Sequence, residues 1–288
     1  MQILIIIALV LVAIVILFFI VLHLGFRAPR VIETQTPKDF DIEFEEVSIP
    51  TVSNKRTNKK LFGWLLPIEN SNKTLIILHG WGGNAEMMLP IAIPFHQEGY
   101  NILLIDSRNH GKSDADTFSS LPRFAEDTDK AIDWLKQNHP ERCKKLALLG
   151  HSVGAGAVLF SASKRNDVDA IISISAFAHA QWMMQRYLAS LHLPQFLINI
   201  ILRYVQWLIG LRFADFAPLS TVCDIDTPIL IVHGKEDTVI PIDDARAILK
   251  HCPEPHLTLL EIDDAGHESV DKFEEHSDKL VEFLQHAM

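Results

Sequence analysis

The segment Gly150-His151-Ser152-Val153-Gly154 carries the sharpest chemical signal in this chain. It follows an apolar run at 146–149 and precedes the small residues Ala155-Gly156-Ala157. That is the setting a G-x-S-x-G turn needs between a strand and a helix. A serine hydroxyl is a poor nucleophile until a sharp turn exposes it and a base stands beside it. Flanking glycines let neighbouring backbone approach closely. The helix starting behind the serine offers a positive dipole end to a developing oxyanion. A second Gly-rich turn, His79-Gly80-Trp81-Gly82-Gly83, follows the apolar run at 74–78. Alone it would be no more than a tight turn. Beside a serine elbow it can supply the second oxyanion donor. The expected donors are the backbone N–H groups of Val153 and Trp81.

An activated serine needs a base, and the base an orienting acid. After the apolar run at 229–232 comes His233-Gly234-Lys235-Glu236-Asp237. Asp237 lies a few residues past that run, where such an acid would sit. After the run at 257–262 comes Asp263-Asp264-Ala265-Gly266-His267-Glu268, with His267 in the loop. The chain order Ser, Asp, His separates this arrangement from the chymotrypsin and subtilisin orders. Asp226 precedes its run, at the wrong end of a strand, and Asp243 is expected to open a helix. Asp263 and Asp264 are too near His267 in sequence to orient it easily.

Elements must hold these residues together. Short apolar runs occur at 74–78, 102–105, 146–149, 170–174, 229–232 and 257–262. Amphipathic stretches separate them; one follows Pro122, with Phe124, Ala131, Ile132 and Leu135 on a single face. Continuous apolar strands alternating with such helices predict a mostly parallel sheet covered on both sides. In that architecture the chemistry lies beyond the carboxyl ends of the strands. Ahead of these, residues 39–45 alternate acids with Phe40, Ile42 and Phe44, predicting a half-buried strand. A further extended segment is expected at 60–66, after a polar loop rich in Asn and Lys.

From about residue 40 to the C-terminus the chain resembles the α/β-hydrolase family, within it the branch named for serine aminopeptidases. Asp106-Ser107-Arg108-Asn109-His110-Gly111-Lys112-Ser113 is similar to that branch's D-x-R-G-x-G-x-S segment. Asn109 stands where glycine is usual, and asparagine tolerates the left-handed backbone better than most residues. The resemblance implies an α/β-hydrolase fold with an eight-stranded, mainly parallel sheet and a helical cap. It implies roles for Ser152, Asp237 and His267 as nucleophile, acid and base. Members of the branch include esterases and lipases, so its name does not imply peptidase activity.

The bulk of the chain bounds the remaining readings. Net charge is −10 and no basic stripe is present, so nucleic acid is not an expected partner. Three scattered cysteines, with no C-x-x-C, argue against a disulfide framework or a structural zinc site. Fourteen histidines invite a metal, but no H-E-x-x-H is present. No cofactor or metal is expected. His79 and His151 read as hydrogen-bonded supports.

Every residue from 3 to 22 is apolar. A helix of that length spans about 30 Å, the hydrocarbon thickness of a bilayer. An uncleaved transmembrane anchor at 3–22 is expected, followed by a linker at 23–38 and the hydrolase domain at 39–288. A cleaved signal peptide, the competing reading, needs a basic n-region and a shorter apolar run. Arg27, Arg30 and Lys38 follow the run and none precedes it, which leans the domain toward the cytoplasmic side. Residues 1–30 carry no candidate site group, so a chain beginning at Val31 is expected to keep its chemistry.

Between the runs at 170–174 and 229–232 lies an insertion at about 177–216. Its stretch 196–211 holds one charge, Arg203. A cap packed on the body is expected there, its inner face open to use as an acyl-chain pocket. The leading functional expectation is a membrane-held serine hydrolase that cleaves a carboxylic ester, such as a monoacyl lipid, through an acyl-enzyme. An amidase, an aminopeptidase or an acyltransferase would use the same residues. A non-catalytic binding protein of the same fold would usually lack one of them.

Overall fold

Eight strands form one sheet in the order β1-β2-β4-β3-β5-β6-β7-β8. A computed structural model of the chain describes residues 1–51 and 59–288. The strands are β1 (Glu45–Pro50), β2 (Lys60–Leu66), β3 (Lys73–Leu78), β4 (Asn101–Ile105), β5 (Lys145–His151), β6 (Ala170–Ile174), β7 (Ile229–Gly234) and β8 (Leu257–Ile262). The first two join antiparallel, and all pairings from β4 to β8 are parallel. All six apolar runs and the segment at 60–66 became strands. The polar loop before them, at 52–58, lies outside the described residues.

Period-2 side-chain alternation divides the core. Leu75 and Ile77 of β3 face one layer, while Ile76 and Leu78 face the other. The first layer is closed by α2 (Leu89–Gln97), α9 (Val270–Glu274) and α10 (Ser277–Ala287), through Leu89, Phe95, Phe273, Leu280 and Leu284. The second is closed by α3 (Leu121–Asn138), α4 (Val153–Ala162) and α8 (Ile242–His251). The predicted stripe Phe124, Ala131, Ile132 and Leu135 is the buried face of α3.

One expected strand is absent. Residues 39–44 form no strand: a single 3₁₀ turn occupies Pro37–Phe40, and Asp41 has φ +59°. Pro37 fixes the first residue of that turn, and the Thr36 N–H and hydroxyl both donate to Asp39 Oδ2, at 2.7 and 3.0 Å. This local cap outweighs the alternation of acids and aromatics. The strand begins only at Glu45, with Val47 and Ile49 facing inward.

Helix α1 (Gln2–Gly25) runs three residues beyond the apolar stretch. Most of it is exposed, but Phe19, Leu22, His23 and Phe26 are half-buried. Their i, i+3, i+4, i+7 spacing places them on one stripe, which meets the body. The segment after it is docked along its length. Ser119 N–H donates to Phe26 O (2.9 Å), and Arg27 Nε donates to Thr117 O (3.2 Å). Ala28 is buried. Arg30 Nη1 donates to Gly111 O (2.9 Å) and Ser113 O (2.7 Å), and Thr34 Oγ1 donates to Glu86 Oε1 (3.0 Å). A chain beginning at Val31 would therefore lose packed structure, not a free tether.

Two helices, α5 (Ala180–Ser190) and α6 (Gln195–Ile209), stand in the insertion between β6 and β7, ahead of the short α7 (Pro218–Thr221). Ile198, Ile201, Leu202 and Val205 of α6 are buried in the same layer as α3 and α4. Arg186 of α5 clamps both oxygens of buried Asp244 in α8, at 3.0 and 2.8 Å, and Asp244 also accepts from Ala178 N–H. The insertion is thus pinned by apolar packing and one bidentate ion pair.

Candidate active site

Ser152 sits between β5 and α4 with φ +55° and ψ −116°, a backbone conformation rarely open to a side-chain-bearing residue. The surrounding glycines permit it. A Cβ on Gly154 would lie 2.5 Å from His79 O and 2.6 Å from Leu78 O, and one on Gly150 would collide with the Gly154 carbonyl. No side chain fits at either place. The sheet register brings β3 beside β5, pairing Leu78 with Gly150, so the loops after the two strands emerge side by side.

The structure brings together the three side chains picked out along the chain. Ser152 Oγ lies 2.9 Å from His267 Nε2, and His267 Nδ1 lies 2.7 Å from Asp237 Oδ2. All three residues are buried. Asp237 Oδ1 accepts from the N–H groups of Val239 (2.9 Å) and Ile240 (2.7 Å), which locks the carboxylate plane. Burial alone would raise the Asp237 carboxyl. His233, His267 and the Ile240 N–H overcome that and hold it well below the usual carboxylate range. An ionised Asp237 accepts only, so the proton between it and His267 resides on Nδ1. His267 Nε2 is then left to accept from the serine hydroxyl.

The rival acids are elsewhere. Asp263 is exposed and pairs with Lys235 at 2.7 Å, and Asp243 pairs with Arg246 at the start of α8. Asp226 is exposed ahead of β7.

The Gly-rich loop after β3 lies beside the serine. A Cβ on Gly80 would lie 3.1 Å from Ser152 Cβ, so the Gly80–Trp81 backbone borders the serine. Val153 opens α4 directly after it. Among the described residues, neither the Trp81 nor the Val153 N–H has an acceptor within the chain. Two such donors beside a hydrogen-bonded Ser–His–Asp chain can stabilise a tetrahedral oxyanion formed when the serine attacks a carbonyl.

Buried histidines support these loops. His79 Nε2 accepts from Ser107 N–H (3.1 Å) while its Nδ1 donates to Gly80 O (2.6 Å), tying the loop after β3 to the loop after β4. Burial, with His110 nearby, holds His79 down to about 3, so it stays neutral. His151 Nε2 donates to His267 O (2.9 Å), and its Nδ1 edge faces Gly80. It therefore stands between the two loops that flank the serine. Asn109, in the place of glycine, has φ +71° and keeps the expected left-handed turn.

Two contributors escaped the sequence. His233 is fully buried, with Nε2 2.8 Å from Ile240 O and 3.5 Å from Asp237 Oδ2. Its place at the end of β7 was visible; its turn toward Asp237 was not. Glu33 buries its carboxyl against Asp106, which itself accepts from the Ala85 and Lys112 N–H groups, both at 2.8 Å. Burial and then Glu33 push the Asp106 carboxyl well above the ordinary carboxylate range. Nothing in the spacing of residues 33 and 106 announces that pair. A cavity of about 590 Å³ lies between the C-terminal end of α6 and the loop before α3, lined by Lys59, Arg108, Asp116, Arg123 and Glu126. It contains none of the three central side chains.

A serine on a strand–helix elbow at the middle of an eight-stranded, mainly parallel sheet, with helices on both faces, defines the α/β-hydrolase class. Residues 69–218, more than half of the chain, match the family model described as serine aminopeptidase, S33, and the chain belongs to that family. Over 241 residues it is 25% identical to YfhR of Escherichia coli K12, covering 80% of this chain and 78% of YfhR. Over 251 residues it is 25% identical to the membrane protein YNL320W of Saccharomyces cerevisiae, covering 86% and 82%. The esterase Pf2001 of Pyrococcus furiosus superposes with a TM-score of 0.73 at 28% identity, covering 91% of this chain and 97% of the esterase. The chain is a hydrolase of the α/β class.

Proposed function

We propose that this hydrolase cleaves a carboxylic ester through an acyl-enzyme on Ser152. His267 takes the serine proton and later returns it to the leaving group; Asp237 holds the imidazole tautomer and stabilises its charged form. The N–H groups of Val153 and Trp81 stabilise the oxyanion. One observation carries the reading: the continuous hydrogen-bonded chain from Asp237 through His267 to Ser152. The esterase named above, similar over nearly the whole domain, favours an ester over an amide.

The same proposal holds the enzyme at a membrane by α1. That helix has 24 residues, long and apolar enough to cross a bilayer, and none of them is buried. A relative described as a membrane protein supports it. Arg27, Arg30 and Lys38 on the domain side favour a cytoplasmic domain. An acyl lipid with one chain then suits a site near the surface.

A fluorophosphonate probe tests the chemistry. It should label the chain once, and Ser152→Ala should abolish labelling; labelling that persists would refute the assignment. Rates on p-nitrophenyl esters should rise with acyl length, each buried methylene contributing about 0.8 kcal/mol. Preference for acetate over octanoate, or release of N-terminal residues from peptides, would refute the lipid ester.

A further inference from the structure

The two sides of α6 differ in what they meet. Ile198, Ile201, Leu202 and Val205 pack into the body. The opposite side carries Phe196, Ile200, Arg203 and Trp207, spaced i, i+4, i+7, i+11 and so on one stripe. Phe196 is 63% exposed, Ile200 42% and Trp207 76%. Arg203 is exposed and forms no ion pair among the described residues. A soluble surface seldom shows a row of large apolar side chains to water without a partner.

The position of α1 indicates what covers this row. Phe19 meets the Tyr204 ring with centroids 5.0 Å apart, and His23 Nδ1 lies 3.3 Å from Tyr204 Oη. Tyr204 in turn lies against Trp207, centroids 5.8 Å apart. These contacts fall in the last two turns of α1, where a spanning helix leaves the hydrocarbon for the headgroups. The exposed row of α6 therefore continues from the anchor at the depth of the membrane–water boundary. Its chemistry fits that depth: Trp and Tyr favour the headgroup level, and an arginine with an apolar stem can reach phosphate from an otherwise apolar surface.

We infer that the outer face of α6 is a second membrane contact, seated in the headgroup layer of the leaflet that α1 enters, with Trp207 and Phe196 inserted and Arg203 on lipid phosphate. This rests on the reading of α1 as an anchor. An interfacial helix gains from buried apolar area together with attraction to anionic headgroups. Because α6 is also the lid of the body through its inner face, lipid contact on one side and core contact on the other orient the domain against the bilayer. The anchor alone would leave it free to turn about a single helix.

The test uses the full chain reconstituted in phosphatidylcholine–phosphatidylglycerol vesicles, with and without brominated acyl chains. Flotation reports on α1. Bromolipid quenching of tryptophan emission, compared between the parent and Trp207→Phe, isolates Trp207. The expected result is flotation of both proteins and an at least about twofold quenching of the Trp207 component by shallow bromines, in keeping with an interfacial tryptophan. Flotation with Trp207 open to aqueous acrylamide and untouched by bromolipid would overturn the inference and leave the anchor standing. Shielding of Trp207 from both quenchers would overturn it in favour of a protein occupant, such as a second copy. Loss of flotation would overturn the anchor and the inference together. As a second readout, Phe196→Asp combined with Trp207→Asp should leave hydrolysis of a water-soluble ester unchanged and slow hydrolysis of a vesicle-resident ester severalfold. Equal rates on both substrates would refute the seating.

Discussion

Replacing Asp237 by Asn asks how much of the reactivity depends on one proton's position. Asp237 Oδ1 accepts two backbone N–H groups, from Val239 and Ile240. An amide keeps those bonds only by placing its oxygen there. Its NH₂ group must then occupy the Oδ2 position, 2.7 Å from His267 Nδ1. Two donors cannot face each other, so the imidazole moves its proton to Nε2 and presents N–H to Ser152 where a base is required. Fold and geometry are kept while the base is lost. Triads altered in this way lose about 10⁴ in kcat, which is roughly 5.5 kcal/mol of barrier. The expected loss for Asp237→Asn is therefore about 10³- to 10⁴-fold. The chain should still fold, because both backbone bonds survive. The assay is steady-state hydrolysis of a short p-nitrophenyl ester alongside the rate of fluorophosphonate labelling, with circular dichroism to confirm folding. Asp263→Asn serves as the control, since Asp263 pairs with Lys235 at the surface. A folded Asp237→Asn enzyme within tenfold of the parent would refute the reasoning, as would a crippled Asp263→Asn.

Gly154→Ala should fail structurally before chemically: the new methyl would meet two carbonyl oxygens at 2.5 and 2.6 Å, and a shift of β3 or α4 should cost about 3 kcal/mol or more, read as a fall in urea midpoint. An unchanged midpoint would show that the elbow has slack. Acid should destabilise the folded chain. His79 is held down to about 3 and His110 to about 4, so below pH 6.5 the unfolded chain binds protons that the folded one refuses. Stability is thus present above pH 6.5 and lost as pH falls, by about 1.4 kcal/mol per pH unit for each histidine. Asp127, pushed up to about 6 by burial against the pull of Arg108, acts in the opposite sense between pH 6 and 3.8. These three groups together contribute a fall of about 1.4 kcal/mol per unit between pH 6 and 4; urea titrations in detergent at pH 7, 6 and 5, comparing the parent with His79→Gln and His110→Gln, would show it, and variants whose stability falls with pH as steeply as the parent's would contradict it. Finally, a chain starting at Phe26 should keep the stability of the domain, whereas one starting at Val31 should lose about 2–4 kcal/mol with the two charged Arg30 hydrogen bonds and buried Ala28. Equal melting temperatures for the two would show that the docked segment contributes nothing.

Much of this protein was determined locally, and local determination is what a sequence displays. Apolar runs of four or five residues bounded by glycines and polar turns are too short for buried helices and suit strands buried on both faces, so the parallel sheet and the place of its chemistry were readable from 74–78, 146–149 and 229–232. The glycines around Ser152 were readable because a serine elbow between a strand and a helix needs them, although the carbonyls they make room for, His79 O and Leu78 O at Gly154, come from far along the chain. Asn109 was readable because its side chain tolerates a turn that others resist. Where two local signals competed, periodicity misled; at 36–41 the proline and the Thr36–Asp39 cap prevailed over alternating aromatics. What tertiary structure alone decided was every relation that crosses the chain. His233 turns beneath Asp237, Glu33 meets Asp106 across 73 positions, and His151 reaches the backbone of His267. Those partners are chosen by the stacking order of strands, not by spacing along the chain. The same holds for α6: its amphipathic pattern states that one face is buried, and only the contact of Tyr204 with Phe19 and His23 shows that the other face lies beside the end of α1.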